Sequence, residues 1–261
     1  MKKRALLAAV LAILLCLAGC NSGKGSDTPQ DTSVELNLIS GIMVSGEKAY
    51  KTDYSYNTNG SLAQKGYVDN SGRGVANLKY NEAGQLIECS TLRNIDHGAF
   101  PHPYAAKRNY SYDASGRLST IICHDLYENN TETLCTYMFK YNDAGRVEKV
   151  LIYNEEDALS GRINFTYDSA GRVTERSSDG STTKYTYDAE GKLTQIYTKE
   201  GSTERTFIAT YDDAGLLTRM ATADGTYAAN YTYSAIKFQP EAVEKAKSSQ
   251  ADLMFNIYGI Y

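Results

Sequence analysis

Tryptophan is absent from this 261-residue chain, and it holds only four prolines and three histidines. Without indole, aromatic packing falls to tyrosine, which outnumbers phenylalanine 22 to 6 and first occurs at Tyr50. A phenol pairs an apolar ring with a polar tip, so it suits half-wet surfaces. No 3.6-residue apolar period is sustained between Tyr54 and Tyr233, which excludes a helical solenoid. There is no Gly-x-Ser-x-Gly, no His-Glu-x-x-His, no phosphate loop and no calcium loop. The expectation is therefore a non-enzyme with no catalytic residue, no metal and no cofactor. Apolar mass is not lacking. At 42% apolar and 22% charged, the chain can bury a core, which excludes wholesale disorder.

One continuous apolar run occurs, and it is short. Lys2, Lys3 and Arg4 precede Ala5 to Ala18, the charged start and apolar stretch of a secretory signal. A bilayer span needs roughly 20 apolar residues. The run closes on Leu17-Ala18-Gly19-Cys20, which resembles the bacterial lipobox. That resemblance implies cleavage before Cys20 and acylation of Cys20, palmitate included. Residues 21–32 then carry no apolar side chain able to join a core, as expected of a tether. Losing Lys2, Lys3 and Arg4 takes the basic side chains from 27 to 24 against 31 acids, a formal charge of −7. Such a surface disfavours nucleic acid. The expected location is the cell envelope, lipid-anchored on the extracytoplasmic side of the cell membrane or outer membrane, with the membrane reached through the anchor.

From residue 54 a pattern recurs: aromatic or apolar, any residue, Tyr, Asp or Asn, two residues, Gly, often a base, then Leu or Val. Its turn positions are Asn57 and Gly60, Asn81 and Gly84, Asp113 and Gly116, and Asn142 and Gly145. They continue with Asp168 and Gly171, Asp188 and Gly191, and Asp212 and Gly215. An eighth copy starts at Tyr231-Thr-Tyr233 and fails at Ser234. Asp or Asn followed three residues later by Gly predicts a type I turn whose Gly adopts the left-handed conformation and forms a bulge. Period-two flanks make each motif the tip of an antiparallel hairpin. Looser turns lie between the tips at Asp69–Gly72, Glu128–Asn130, Asp179–Gly180, Glu200–Gly201 and Asp224–Gly225.

These motifs resemble the YD repeats of the Rhs, teneurin and insecticidal-toxin families, and together with the lipobox suggest a YD-repeat bacterial lipoprotein. In those families the repeats imply a β-sheet spiral that forms a shell and can enclose a toxic C-terminal segment. Here the copies are far fewer, with no visible self-cleavage segment, so what carries over is the hairpin architecture. The expected fold is all-β: an antiparallel up-and-down meander of about 16 short strands, curled into a barrel or spiral, with a short C-terminal helix or strand cap. Its expected divisions are a signal peptide over 1–19, the lipidated Cys20 and tether over 20–32, the YD-repeat β domain over 33–238, and a cap or plug over 239–261.

Sixteen strands are too many for a flat open sheet, and closure would leave a channel for the Tyr rows to line. A membrane pore would need apolar outward faces, whereas Thr182, Lys184 and Thr186 are polar. Gln239-Pro240-Glu241 through Lys247 has the proline, acid and later bases of a short helix. Cys123 and Cys135 flank the turn at 128–130, and direct opposition there would allow a disulfide. His97, His102 and His124 with Asp96 cluster around a long connection and are read as an ordinary loop rather than a metal site. Two functions remain open. The first is a binding or scaffold protein whose Tyr-rich β surface takes an extended glycan or peptide; the second is a small YD shell or barrel enclosing a guest or its own C-terminal plug.

Overall fold

A computed structural model describes residues 32–46, 49–70, 72–95, 103–127 and 130–249. Residues 1–31, with Cys20 and nearly all of the tether, and residues 250–261 of the cap lie outside the described residues, as do His97 and His102. The fold runs through β1 (Val34–Ser45), β2 (Tyr50–Tyr56), β3 (Leu62–Asp69), β4 (Gly72–Tyr80), β5 (Leu86–Ile95) and β6 (Pro103–Tyr112). It continues with β7 (Leu118–Tyr127), β8 (Asn130–Tyr141), β9 (Val147–Asn154), β10 (Leu159–Tyr167) and β11 (Val173–Ser178). The last are β12 (Ser181–Tyr187), β13 (Leu193–Glu200), β14 (Thr203–Tyr211), β15 (Leu217–Thr222) and β16 (Ala228–Phe238).

Each strand pairs antiparallel with its sequence neighbours, and β1 pairs with β16 from Val34↔Phe238 to Ser45↔Ala228. The meander is thus a closed barrel, which leaves no exposed edge. Of the barrel and the spiral expected from the sequence, the structure has the barrel. Its first strand carries no YD motif. Ile39 of β1 nevertheless occupies the place that Leu or Val holds in each true copy, as the hydrogen bonds below show.

Alternation of side chains fixes the two faces of the wall. Phe139, Val150 and Ile163 sit opposite one another on β8, β9 and β10 and are 7%, 2% and 7% exposed, so their row faces inward. The outward rows on either side of it are Met138, Leu151 and Arg162, and Lys140, Lys149 and Asn164. Inward residues of β7 to β13, β15, β16 and β1 join one hydrophobic cluster that includes Ile39, Phe165, Tyr185, Leu217 and Tyr231. Full burial of such side chains contributes about 1.5–3 kcal/mol each.

One turn escaped the sequence reading. Between β9 and β10 the Asn154 carbonyl accepts from Asp157 N–H, and Asn154 N–H donates to the Ala158 carbonyl, repeating the YD turn at the opposite end of the barrel. Asp157 fills the glycine place at φ 58°, which conceals the turn from a search for Gly.

At the C-terminus a 3-10 turn (Pro240–Ala242) leads into helical residues 243–249. This segment docks against the first two YD tips. Ala242 and Ala246 are 4% and 0% exposed and pack with Leu38 and Phe238. Lys245 Nζ donates to the Gly84 carbonyl at 2.7 Å. A Cβ on Gly60 would come within 2.4 Å of the Ala242 carbonyl oxygen, so only glycine permits this approach.

Candidate binding site in the barrel lumen

The YD motif is first a device for building the wall. In all seven copies the Gly N–H donates to the carbonyl of the Asp or Asn, and each Gly has φ between 74° and 88°. In six copies an Asp or Asn oxygen also accepts from the backbone N–H of the residue after Gly, as Arg172 N–H to Asp168 Oδ1 at 2.9 Å. Asn57 instead bonds Ser61 through its side-chain amide. These bonds hold the Asp113 and Asp168 carboxyls below the usual range, mainly through the backbone N–H of Arg117 and of Arg172. The fourteen turn residues are therefore occupied by the backbone.

The second tyrosine of every copy ties that copy to the one before it. Tyr56, Tyr80, Tyr112 and Tyr141 donate their hydroxyls to the carbonyls of Ile39, Leu62, Leu86 and Leu118 at 2.6–2.9 Å. Tyr167, Tyr187, Tyr211 and Tyr233 do so to Val147, Val173, Leu193 and Leu217 at 2.6–3.0 Å. Where a base follows the Gly it stacks on the tyrosine of the next copy: Arg117 on Tyr141 at 4.5 Å, Arg146 on Tyr167 at 5.6 Å, Arg172 on Tyr187 at 4.7 Å and Lys192 on Tyr211 at 5.4 Å. The first copy has Ser61 in the base position. There the C-terminal helix supplies the cation, with Lys245 Nζ 5.2 Å from the Tyr80 ring centroid.

The motif tyrosines thus face the lumen, and so does most of the remaining aromatic surface. The lumen is uneven. Over β8 to β16 its lining is packed, with Val150, Ile163, Phe165, Val173, Tyr185 and Leu193 all between 2% and 7% exposed. Over β3 to β6 it is open. Lys65 stands opposite Tyr54 and the buried Ala76, and Arg108 stands opposite Cys89 and Cys123, so both cations point inward. Both are nonetheless exposed. Solvent therefore reaches the inner wall at these two side chains. Enclosure and then the nearby Arg108 charge push the Lys65 ammonium pKa down. Arg176 also points inward, opposite Phe165, with its Nε buried and unbonded.

Cys89, Arg108, Cys123 and Cys135 form one cross-strand row on the inner face. Cys123 and Cys135 are direct partners, and all three thiols are free. The pairing starts from Tyr127 opposite Asn130, and a bulge between Cys123 and His124 brings the two cysteines into direct opposition. A three-residue loop would have given the same pairing. Burial, then the neighbouring Cys135, pushes the Cys123 thiol up to about 11. Burial likewise raises Cys89, Tyr54 and Tyr110. At neutral pH these groups are protonated, which makes them poor nucleophiles.

His124 is taken up by hydrogen-bonding contacts to Asn109 and Thr133. No group of three or more His, Cys, Asp or Glu that could hold a metal occurs among the described residues. On the outer wall a shallow groove of about 280 Å³ is lined by Asp53, Val68, Arg73, Val75 and Leu92 among others. The sequence reading did not find Lys65 or Arg108. A signal existed: two residues before the first aromatic of each motif stand Thr52, Ala76, Arg108, Tyr137, Ile163, Thr183, Phe207 and Ala229, and only one of these is charged.

Residues 167–203, which run from the tip of the fifth copy past that of the sixth, match the family model for the RHS repeat. Over those residues the YD unit is matched as an RHS repeat. No curated protein matches the chain. A porin-like protein from Bacteroides uniformis is 14% identical with a TM-score of 0.45, over 75% of this chain and 96% of that one. A porin-like protein from Bacteroides vulgatus is 12% identical with a TM-score of 0.37, over 76% and 99%. The Photorhabdus luminescens Tc holotoxin pore is 12% identical with a TM-score of 0.29, over 72% of this chain and 15% of that one. That match spans about 15% of the toxin chain's length.

Proposed function

We propose that this RHS-repeat barrel is a lipid-anchored binding protein of the cell envelope that takes a ligand into its lumen. The observation that carries the reading is the open stretch of inner wall over β3 to β6, where accessible cations stand among tyrosines. The Tyr-rich β surface expected from the sequence to bind a glycan or peptide is the inner one, so the binding reading and the enclosing-barrel reading converge. Binding rather than catalysis is supported by the protonated state of the inner thiols and phenols. The outer rows argue for a wall in water, because a lipid-facing belt would have to accommodate Lys184, Lys199 and Glu204.

Anchoring through Cys20 is part of the same proposal, supported by the lipobox and tether. Radiolabelled palmitate should enter the wild-type protein in cells and fail to enter Cys20→Ser; equal labelling of both would remove the anchor. For binding, the mature protein in detergent is passed over purified cell-wall glycan and peptide polymers. Retention should be lost in Ala106→Trp, which fills the lumen beside Arg108, and kept in Thr182→Trp, which alters the outer wall. Retention indifferent to Ala106→Trp, or none by a folded protein, refutes lumen binding.

A further inference from the structure

Like charges enclosed together need a counter-charge. Two cations on the open inner wall repel one another, and surrounding them with protein costs each part of its hydration. Such pairs are ordinarily neutralised by carboxylates. Here neither Lys65 nor Arg108 makes an ion pair among the described residues. The groups that face Arg108 are the hydroxyls of Tyr110 and Tyr137 and the thiols of Cys89 and Cys123; its guanidinium donates to Tyr110 and Cys123, and none of the four supplies a negative charge at neutral pH. Of the inward carboxylates on this part of the wall, Asp69 is bound to Arg93, with Nη2 2.6 Å from its Oδ1. Asp125, opposite Ala106, is buried at 6% exposure and is itself partnered.

The lumen thus presents an ammonium, a guanidinium fork and several neutral donors, with small side chains between them: Ala76 stands beside Lys65, and Cys89 separates Leu78 from Arg108. A planar fork next to a point charge suits an oxyanion, which takes two parallel bonds from Arg and one from Lys. The neighbouring rings of Tyr54 and Tyr110 offer faces for an attached aromatic or sugar group. Resting on the lumen-binding reading above, we propose that Lys65 and Arg108 form a site for the oxyanion, phosphate or carboxylate, of a small organic ligand. The cations supply charge and orientation, and the phenols supply the walls.

The test uses the mature protein in detergent, with phenyl phosphate and benzoate as probes in chloride buffer of matched ionic strength. Phenyl phosphate or benzoate at about 100 times its Kd should raise the wild-type Tm by about 5 °C or more. Lys65→Met and Arg108→Met should each remove that rise, while Lys184→Met on the outer wall keeps it. Unliganded Lys65→Met should melt no lower than wild type, since it removes an enclosed, unpaired charge. Whichever probe acts tells phosphate from carboxylate. No rise with either probe, or a rise that survives in both Lys65→Met and Arg108→Met, overturns the site. If polymer retention depends on Ala106 while the anion response ignores Lys65 and Arg108, lumen binding stands and this inference falls. An anion response that persists in Ala106→Trp puts the site outside the lumen and defeats both.

Discussion

Tyr187→Phe deletes one hydroxyl from the ring of tyrosine-to-carbonyl bonds that links successive repeats. The bond is 2.8 Å long, to the Val173 carbonyl, and half-buried. A net hydrogen bond of this kind contributes about 1 kcal/mol, and a carbonyl left without its partner costs about 1–3 kcal/mol. Val173 is 7% exposed, so little water reaches the site, and a loss of about 1–2 kcal/mol is expected. For a barrel of this length that is a fall in Tm of roughly 2–8 °C. The ring stays, so the stacking with Arg172 persists and the change isolates the hydroxyl. The control is Tyr197→Phe, whose hydroxyl meets Glu204 on the outer wall and should change stability by no more than about 0.5 kcal/mol. Both are measured by urea denaturation with unchanged m-value as the criterion for an intact fold. Equal effects of the two substitutions would refute a structural role for the ladder.

Three further outcomes follow from the same geometry. Gly60→Ala and Gly145→Ala share the left-handed strain of roughly 1–2 kcal/mol, but only at Gly60 would the new methyl strike the C-terminal helix, whereas nothing lies within 4 Å of Gly145. Gly60→Ala should therefore cost at least about 1 kcal/mol more in denaturant melts, and equal costs would place the helix elsewhere. Burial pushes Tyr185 from 10.0 to about 12, so the folded state holds its proton where the unfolded state has lost it. Stability is then full below pH 10 and declines from 10 to about 12, by on the order of 2 kcal/mol for this group, and tyrosinate absorbance should rise together with unfolding. Tyrosinate appearing near pH 10 in the folded state would contradict it. In alkaline solution, where thiolate forms, peroxide should join Cys123 to Cys135, the two thiols giving two electrons and two protons to peroxide as water forms, and leave Cys89 open to alkylation. Peptide mapping that finds Cys89 in the bridge would contradict the register.

Much of this architecture is legible because the YD turn is local chemistry. Asp168 and Gly171 fix a turn within four residues, and Tyr-x-Tyr followed by Leu or Val fixes the strand alternation on both sides. What the sequence withholds is non-local. Alternation defines two faces without saying which is inside, and tyrosine, half apolar and half polar, suits either. Closure depends on β1, which lacks the motif, meeting β16 across nearly the whole chain. The turn at Asn154 to Asp157 was hidden because Asp holds the left-handed position that Gly usually marks. That the C-terminal helix brings Lys245 to Tyr80, where Ser61 stands in place of a base, is likewise a contact between distant segments. Lys65 and Arg108 became legible as a pair only when register set them on the same inner wall.

Closure of the barrel underlies both the lumen and its site, and amide hydrogen exchange of β1 and β16 tests it most directly. Their pairing runs from Val34↔Phe238 to Ser45↔Ala228, interrupted only by a bulge between Ile39 and Gly41. If that seam exists, peptides covering 34–45 and 228–238 exchange as slowly as those of β10, which has neighbours on both sides. Fast exchange of both segments beside a protected β10 would mean two free edges, an open sheet and no lumen.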